Sequence, residues 1–399
     1  MTLSSQSVSE LQTTEWDVAV IGAGPGGSLT ARESARHGMK TLLIEARAFP
    51  RPKVCGGCLN PRALRVLAAV GLQGLVDELQ GEPIRSMSLQ SGGCSAEMSL
   101  PTGLSVTRHR LDMALLQAAS DAGVSVAMET SAIVDPDTRD GLRSLHLHSQ
   151  GKSLSVRARV VVCADGLLRS SLRSLPEMEP HPSPSARMGV GIVLSRDQLS
   201  AAVADQFPRE RITMIVGLGG YVGLAWAEDN QLSIAAAIDP QVVKATGSPW
   251  KSVHQILCAN GIDISVIDSG WSGTPSLTTT PRWNAAERLF VIGDAAGYVE
   301  PFTGEGMAAA LEQSVAVLPF VIQAVKQWRP ELATAWQQQH RTQFRRRQRY
   351  CRMASAILRR PWLSATALRL VRIFPKVAGY FVQAINRPSS TPHTRLREL

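Results

Sequence analysis

Val18-Ala19-Val20-Ile21-Gly22-Ala23-Gly24-Pro25-Gly26-Gly27 is the stretch whose reading decides the fold. Four apolar residues lead into a Gly-x-Gly-x-x-Gly spacing at Gly22, Gly24 and Gly27. The pattern predicts a helix over Ser28 to His37, then a second strand over Thr41 to Ile44 that ends in Glu45. Each position has a physical task. Gly22 permits a tight turn, Gly24 lets the backbone approach a pyrophosphate, and Gly27 lets the helix pack closely on the strand. The helix N-terminus offers unpaired N–H groups and a positive dipole end to phosphates. Glu45 is placed to accept hydrogen bonds from an adenosine ribose. A plain glycine turn in a βαβ unit is the weaker reading, because strand, turn, helix, strand and acid all stand in the order a dinucleotide requires.

Working outward, 399 residues with 44% hydrophobic and 19% charged composition describe a globular protein with chain enough for two or three domains. Six cysteines make no disulfide scaffold, so reduced thiols in a cytoplasmic setting are expected. Residues 1–14 are polar, lack the features of a secretory signal and read as a flexible arm. No uninterrupted apolar run reaches about 18 residues, so no membrane-spanning helix is expected. The net charge of +9 is uneven, with Arg341, Arg345, Arg346, Arg347, Arg349 and Arg352 crowded near the C-terminus.

After Glu45, the prolines and glycines of Arg47 to Pro61 exclude a regular element, and Asn60-Pro61 caps and opens a helix to Val70. Strands with a Gly92-Gly93 turn fill Pro83 to Val106, and a helix starts near Arg108. Leu142 to His148 and Leu154 to Val156 alternate like a hairpin, and Val160 to Ala164 reads as a separate buried strand ending in Asp165-Gly166. Met188 to Leu194, Ile212 to Val216, Tyr221 to Trp226 and Leu232 to Ile238 form an antiparallel meander that roofs a substrate. Leu289 to Ile292 is another buried strand, and it delivers Asp294 into glycine-rich sequence before a long helix from about Gly306. The dinucleotide-binding half is therefore discontinuous, at 15–80, 105–175 and 285–330. The β-sheet substrate domain occupies 81–104 and 176–284, and 331–399 is a basic helical region.

Three segments narrow the cofactor. Val291-Ile292-Gly293-Asp294-Ala295-Ala296-Gly297, followed by Pro301-Phe302-Thr303-Gly304-Glu305-Gly306-Met307, resembles the second FAD-binding motif of the p-hydroxybenzoate hydroxylase superfamily. Asp165-Gly166, followed by Ser170 and Arg173 with one residue more than the usual spacing, looks like that superfamily's Asp-Gly motif. Arg108, four residues before Asp112, is similar to its phosphate-approaching arginine, with Arg110 not separable from it by sequence. The loop Lys53-Val54-Cys55-Gly56-Gly57-Cys58 resembles the geranylgeranyl reductase branch.

The resemblance implies an α/β protein with α+β elements. It comprises a glutathione-reductase-like, Rossmann-type FAD-binding domain with an inserted antiparallel β-sheet substrate domain and a helical C-terminal region. It implies FAD held by Gly22, Gly24, Gly27, Glu45, Arg108, Asp165, Asp294, Gly304 and Gly306. NAD(P)H or another reductant would visit transiently as electron donor. It implies hydride delivery to a carbon–carbon double bond of a hydrophobic substrate, with Cys55 on the substrate side. Monooxygenation with NAD(P)H and dioxygen is the alternative, and a non-enzymatic, membrane-associated flavin-binding protein is a third reading.

Cys55 and Cys58 also invite a redox dithiol. Zinc is disfavoured there, and no metal site is expected, for want of a second ligand pair. The prenyl reductases' Tyr-x-Trp-x-Phe-Pro segment is replaced by Tyr221-Val222-Gly223-Leu224-Ala225-Trp226, and the tryptophan halogenases' Trp-x-Trp-x-Ile-Pro is lacking. Ala354 to Leu358, Trp362 to Ile373 and Val377 to Ile385 place apolar residues at helical spacing among arginines. They fit either peripheral contact with an anionic membrane or a helix packed on the FAD domain with its basic face in water. Nucleic acid is excluded as a partner by the lack of a stacking platform or groove-reading motif.

Overall fold

The fold is built on a strand that the sequence pattern splits in two. Lys152–Cys163 is continuous. Its first half pairs antiparallel with Leu142–Ser149, and its second half runs parallel to Glu15–Ile21 and Leu289–Val291. The alternation expected of a hairpin and the continuous apolar run expected of a buried strand are thus two environments of one element. The computed structural model describes residues 8–264, 267–300 and 304–373. The expected helix at Val377 to Ile385, and Pro301 to Thr303 of the glycine-rich turn, lie outside the described residues.

The central sheet runs, in order, Ala285–Ala286, Leu289–Val291, Lys152–Cys163, Glu15–Ile21, Thr41–Ile44 and Ser125–Ala127. From Leu289–Val291 onward it is parallel. Alternation sorts its two faces. Val18, Val20, Leu43 and Val160 pack under helices, against Ala31, Leu116, Val317 and Trp336. Ala19, Ile21, Leu42 and Val161 pack against Val134 and Leu145 from the hairpin Ser131–Arg139 and Leu142–Ser149, and against Val156 from the first half of Lys152–Cys163. Where residues 1–14 were expected as an arm, Val8–Thr13 is a short helix, and Leu11 is buried in this second core. An apolar Leu11 that accepts a hydrogen bond from the Trp16 indole at its carbonyl gives the helix somewhere to dock.

The inserted sheet runs Ser272–Ser276, Met188–Ser195, Gln231–Ile238, Gly220–Trp226, Arg211–Gly217, Glu82–Ser91, Cys94–Ser105, Cys58–Leu59. The meander itself is antiparallel as expected, but Arg211–Gly217 lies parallel to Glu82–Ser91, so the sheet is mixed. Cys58–Leu59 supplies a two-residue strand inside the loop expected to hold no regular element. The outer face, with Ile215, Val222 and Ile234, is covered by the helix Pro249–Cys258 through Val253 and Ile256. The inner face presents Met87, Met214, Tyr221 and Ala237.

The helix Glu305–Lys326 crosses between the two halves. It is long and apolar enough to cross a membrane by length and composition alone. Its apolarity is accounted for by packing: Leu311, Val317 and Val321 are fully buried, and Ser314 Oγ donates to Gly26 O at 2.7 Å. Pro330–Leu358 docks Trp336 on the FAD-side core, then carries Ala354 and Leu358 across to the inner face of the inserted sheet. The helix Pro361–Ile373 follows and packs on the hairpin of Glu82–Ser91 and Cys94–Ser105, with Ser364 Oγ 2.9 Å from Ser91 Oγ. The C-terminal helices therefore pack on both domains rather than on the FAD domain alone.

Candidate functional site

Gly22 adopts φ +99°, which an L side chain rarely takes, and a Cβ there would lie 2.5 Å from Ala164 O. A Cβ on Gly27 would lie 1.8 Å from Gly22 O, so the helix start and the first strand touch backbone to backbone. Gly24 differs. Nothing but guanidinium tips approaches it: Arg108 Nη2 at 3.7 Å and Arg51 Nη2 at 4.0 Å from the position of a Cβ. The space before this helix N-terminus is thus bordered by two cations, which is the donor set a pyrophosphate requires.

Arg108 is held there by Asp112, to which it donates from Nε at 2.8 Å and Nη2 at 2.7 Å. Burial opposes its charge, but the Asp112 carboxylate outweighs it and raises the guanidinium's pKa further. The start of its helix is fixed from the other domain, where Glu228 accepts hydrogen bonds from the Thr107 N–H at 2.9 Å and from the Thr107 hydroxyl. Arg110, inseparable from Arg108 in sequence, points to Asp229 at 2.7 Å and lies away from Gly24's neighbours.

Glu45 Oε2 accepts the Ala23 N–H at 2.9 Å and Oε1 the Arg47 N–H at 3.0 Å, so the acid is locked beside the glycine turn. Arg51 lies 3.5 Å from Glu45 and 3.7 Å from Asp112. Its Nε is buried without a hydrogen-bond partner among the described residues, a donor left for an anion.

Asp165 Oδ2 accepts the Ser171 N–H at 2.9 Å, which explains how the motif tolerates its extra residue: Arg169 takes a left-handed φ of +47° and swings Ser171 back. Asp165 Oδ1 is buried and unpartnered among the described residues, and burial raises the carboxyl's pKa. Asp294 sits in a one-turn 3-10 helix, Gly293–Ala296, 3.9 Å from Lys53 Nζ. Burial and the Arg108 charge lower the Lys53 pKa, while Asp294 opposes them. Gly304, at φ +67°, opens the long helix against Cys58, and Gly306 lies against the Tyr298 ring. Arg62, fully buried, pairs with Glu305 and with Glu312 at 3.0 Å and ties the Pro61–Ala69 helix to that start.

Gly24, Gly304, Gly306, Arg108, Asp294 and Cys55 all line one cavity of about 470 Å3. Gly22, Gly27, Glu45 and Asp165 stand behind its walls. The cavity continues past Tyr298 and Tyr221 to Met87, Met98, Leu100 and Met214, and is closed by Ile357, Ala367 and Val371. Burial raises both tyrosine pKa values well above the usual range, so both stay protonated. Beneath Tyr221, Arg187 donates to Glu300 at 3.0 Å, and Arg359 reaches Asp239 at 3.3 Å. Arg51 and Tyr298 were not singled out by sequence, and Lys53 and Asp112 entered only as members of motifs, without the partners they meet here. For Arg51 the local hint was the cluster Arg51-Pro52-Lys53 leading into the cysteines.

Cys55 is half-buried in the cavity wall. Cys58 donates to Gly56 O at 3.2 Å, and burial pushes its thiol up to about 12. Burial thus favours the neutral thiol at Cys58. The residues present fit FAD: a glycine turn with an open anion space, two arginines, an acid at the ribose position, and an aspartate and helix start at the ring end.

The family model described as "FAD binding domain" matches residues 15–346. Conditioned medium factor receptor 1 of Dictyostelium discoideum is 27% identical over 334 residues, covering 77% of this chain and 64% of that protein. The chain thus spans under two thirds of that relative's length. Digeranylgeranylglycerophospholipid reductase 2 of Methanococcoides burtonii is 27% identical over 302 residues, covering 74% of this chain and 72% of that protein. Among solved structures, a geranylgeranyl bacteriochlorophyll reductase-like protein from Thermoplasma acidophilum superposes with a TM-score of 0.74 at 18% identity. That match covers 96% of this chain and 98% of the other, and shows a shared fold. The chain belongs to the FAD-binding-domain family and is an FAD-dependent oxidoreductase.

Proposed function

We propose that the protein reduces a carbon–carbon double bond in a long hydrophobic chain of prenyl type, using bound FAD. The observation that carries this reading is the cavity: its cofactor end is polar and cationic, whereas its far end is lined by methionines, leucines and alanines. Such a lining favours an extended apolar chain over a compact aromatic acid. FAD in its reduced form supplies a hydride, and NAD(P)H is the typical source of the electrons. The chain's own residues bind, orient and protonate. Arg108 and Arg51 would neutralise the pyrophosphate, and Asp294 with the start of Glu305–Lys326 would hold the ring end. Cys55, on the cavity wall, would give a proton to the second carbon and take one back from water, so that the double bond gains one hydride and one proton.

Access follows from the C-terminal helices. Pro361–Ile373 lines the cavity with Ala367 and Val371 and exposes Leu370 and Ile373 beside Arg369 and Arg372. This face suits peripheral contact with an anionic membrane, from which an apolar chain would enter.

The test is anaerobic. Protein holding reduced FAD is mixed with a prenylated lipid, and flavin absorbance is followed without oxygen. Return of the oxidised spectrum in proportion to added lipid supports the reductase. A flavin that stays reduced until dioxygen enters, and then oxidises with lipid consumption, supports monooxygenation instead.

A further inference from the structure

Three metal-ligating side chains converge at the end of the helix Pro249–Cys258, on the outer face of the inserted sheet. His254 and Cys258 are four residues apart and share one side of that helix. Asp263 returns from the turn that follows. Cys258 Sγ lies 3.1 Å from His254 Nε2, and the same Nε2 lies 3.2 Å from Asp263 Oδ1. All three donor atoms fall within 4.8 Å of one another. We propose that His254, Cys258 and Asp263 form a surface site for a borderline-soft divalent cation of the zinc class.

The donor spacing carries the assignment. A tetrahedral ion with Zn–S of about 2.3 Å and Zn–N and Zn–O of about 2.0 Å holds its ligands roughly 3.3–3.6 Å apart. The two separations above need a shift of only a few tenths of an ångström to meet that. A sulfur, an imidazole nitrogen and a carboxylate oxygen together select zinc-like ions over magnesium or calcium, which prefer oxygen alone. The site also sits at a helix C-terminus, where the backbone carbonyls favour positive charge. Cys258 and Asp263 are exposed, so the fourth position opens to water.

The site would act on structure rather than on the flavin. Ile256 and Leu257 on the helix, and Ile262 and Ile264 beyond the turn, fill the outer core of the inserted sheet. An ion bridging His254, Cys258 and Asp263 would clamp the turn between them. The competing account is an ordinary His–Asp hydrogen bond with a cysteine beside it, which binds no metal.

The experiment uses the FAD-loaded, full-length protein with its thiols reduced. Zinc uptake is measured against a chromophoric zinc indicator, and alkylation of each cysteine is followed by peptide mass spectrometry with and without Zn2+. The expected result is one equivalent fewer of bound zinc in Cys258→Ser and in His254→Ala than in the unaltered protein, with FAD content unchanged. Zinc should also slow alkylation of Cys258 at least tenfold in the unaltered protein, and leave Cys94 as reactive as before. The same zinc stoichiometry in all three proteins, or Cys258 alkylation indifferent to zinc, would overturn the site. The alkylation arm needs no variant, so misfolding of a variant does not blunt it.

Discussion

Gly24 and Gly27 stand three residues apart in one turn and answer different demands. Gly27 is required by the protein itself, because a methyl group there meets the Gly22 carbonyl and neither backbone is free to move. Gly24 meets no backbone, and because its Cβ position faces the arginine-bordered space we propose that it serves the ligand. The two substitutions should therefore separate. Gly27→Ala should destabilise the fold by about 3 kcal/mol or more, read as a lowered midpoint of denaturant unfolding. Gly24→Val should leave that midpoint within roughly 1 kcal/mol and weaken FAD binding at least tenfold, read by FAD titration. Equal losses of stability in both variants would show that Gly24 serves packing and not the cofactor. Cys55 and Cys58 differ in the same residue-by-residue way. The Cys58 thiol is held neutral by burial, whereas Cys55 faces the cavity.

At the scale of elements, Pro330–Leu358 decides where the cavity closes. Its first half is fixed to the FAD side by Trp336, by Gln337 and by His340. Gln337 Oε1 accepts the Asn284 N–H at 2.7 Å, and His340 Nδ1 lies 3.1 Å from Asn284 Nδ2. That amide nitrogen is a donor, so the facing ring nitrogen is the acceptor and His340 is neutral in the fold. Burial first, and the Arg341 charge second, bring the His340 pKa down to about 4 from an ordinary 6.5. Well above pH 6.5 the ring is neutral both folded and unfolded and contributes no pH dependence. As pH falls from 6.5 towards 4, the unfolded chain takes up the proton first, and stability is lost by up to roughly 3 kcal/mol. The unfolding midpoint of His340→Gln should fall less steeply over that window than that of the unaltered protein. Parallel slopes would show that the ring titrates normally in the fold.

The whole molecule shows why the sequence was readable in some places and mute in others. Gly22, Gly24, Gly27 and Glu45 lie within one βαβ unit, and their roles follow from local backbone geometry. Asp165 and Asp294 announce themselves by the apolar runs that lead into them. Lys53 with Asp294, Arg62 with Glu305, and Arg187 with Glu300 join residues more than a hundred positions apart, and no periodicity reports such pairs. The strand Lys152–Cys163 appeared as two because its halves serve different neighbours. The C-terminal helices showed their apolar stripe but not which domain it would cover. The answer depends on Arg359 reaching Asp239 and Glu300 across the molecule. The resulting enclosure joins cofactor-binding residues of one domain to an apolar wall of the other, and the reductase reading rests on that junction.

The measurement that tests this reading most directly is the mass of the product. A prenylated lipid is turned over by FAD-loaded protein supplied with reductant, and the lipid is then analysed by mass spectrometry. The account predicts a gain of two hydrogens for each double bond consumed, in the absence of dioxygen as in its presence. A product heavier by one oxygen atom, formed only when dioxygen is present, would contradict it.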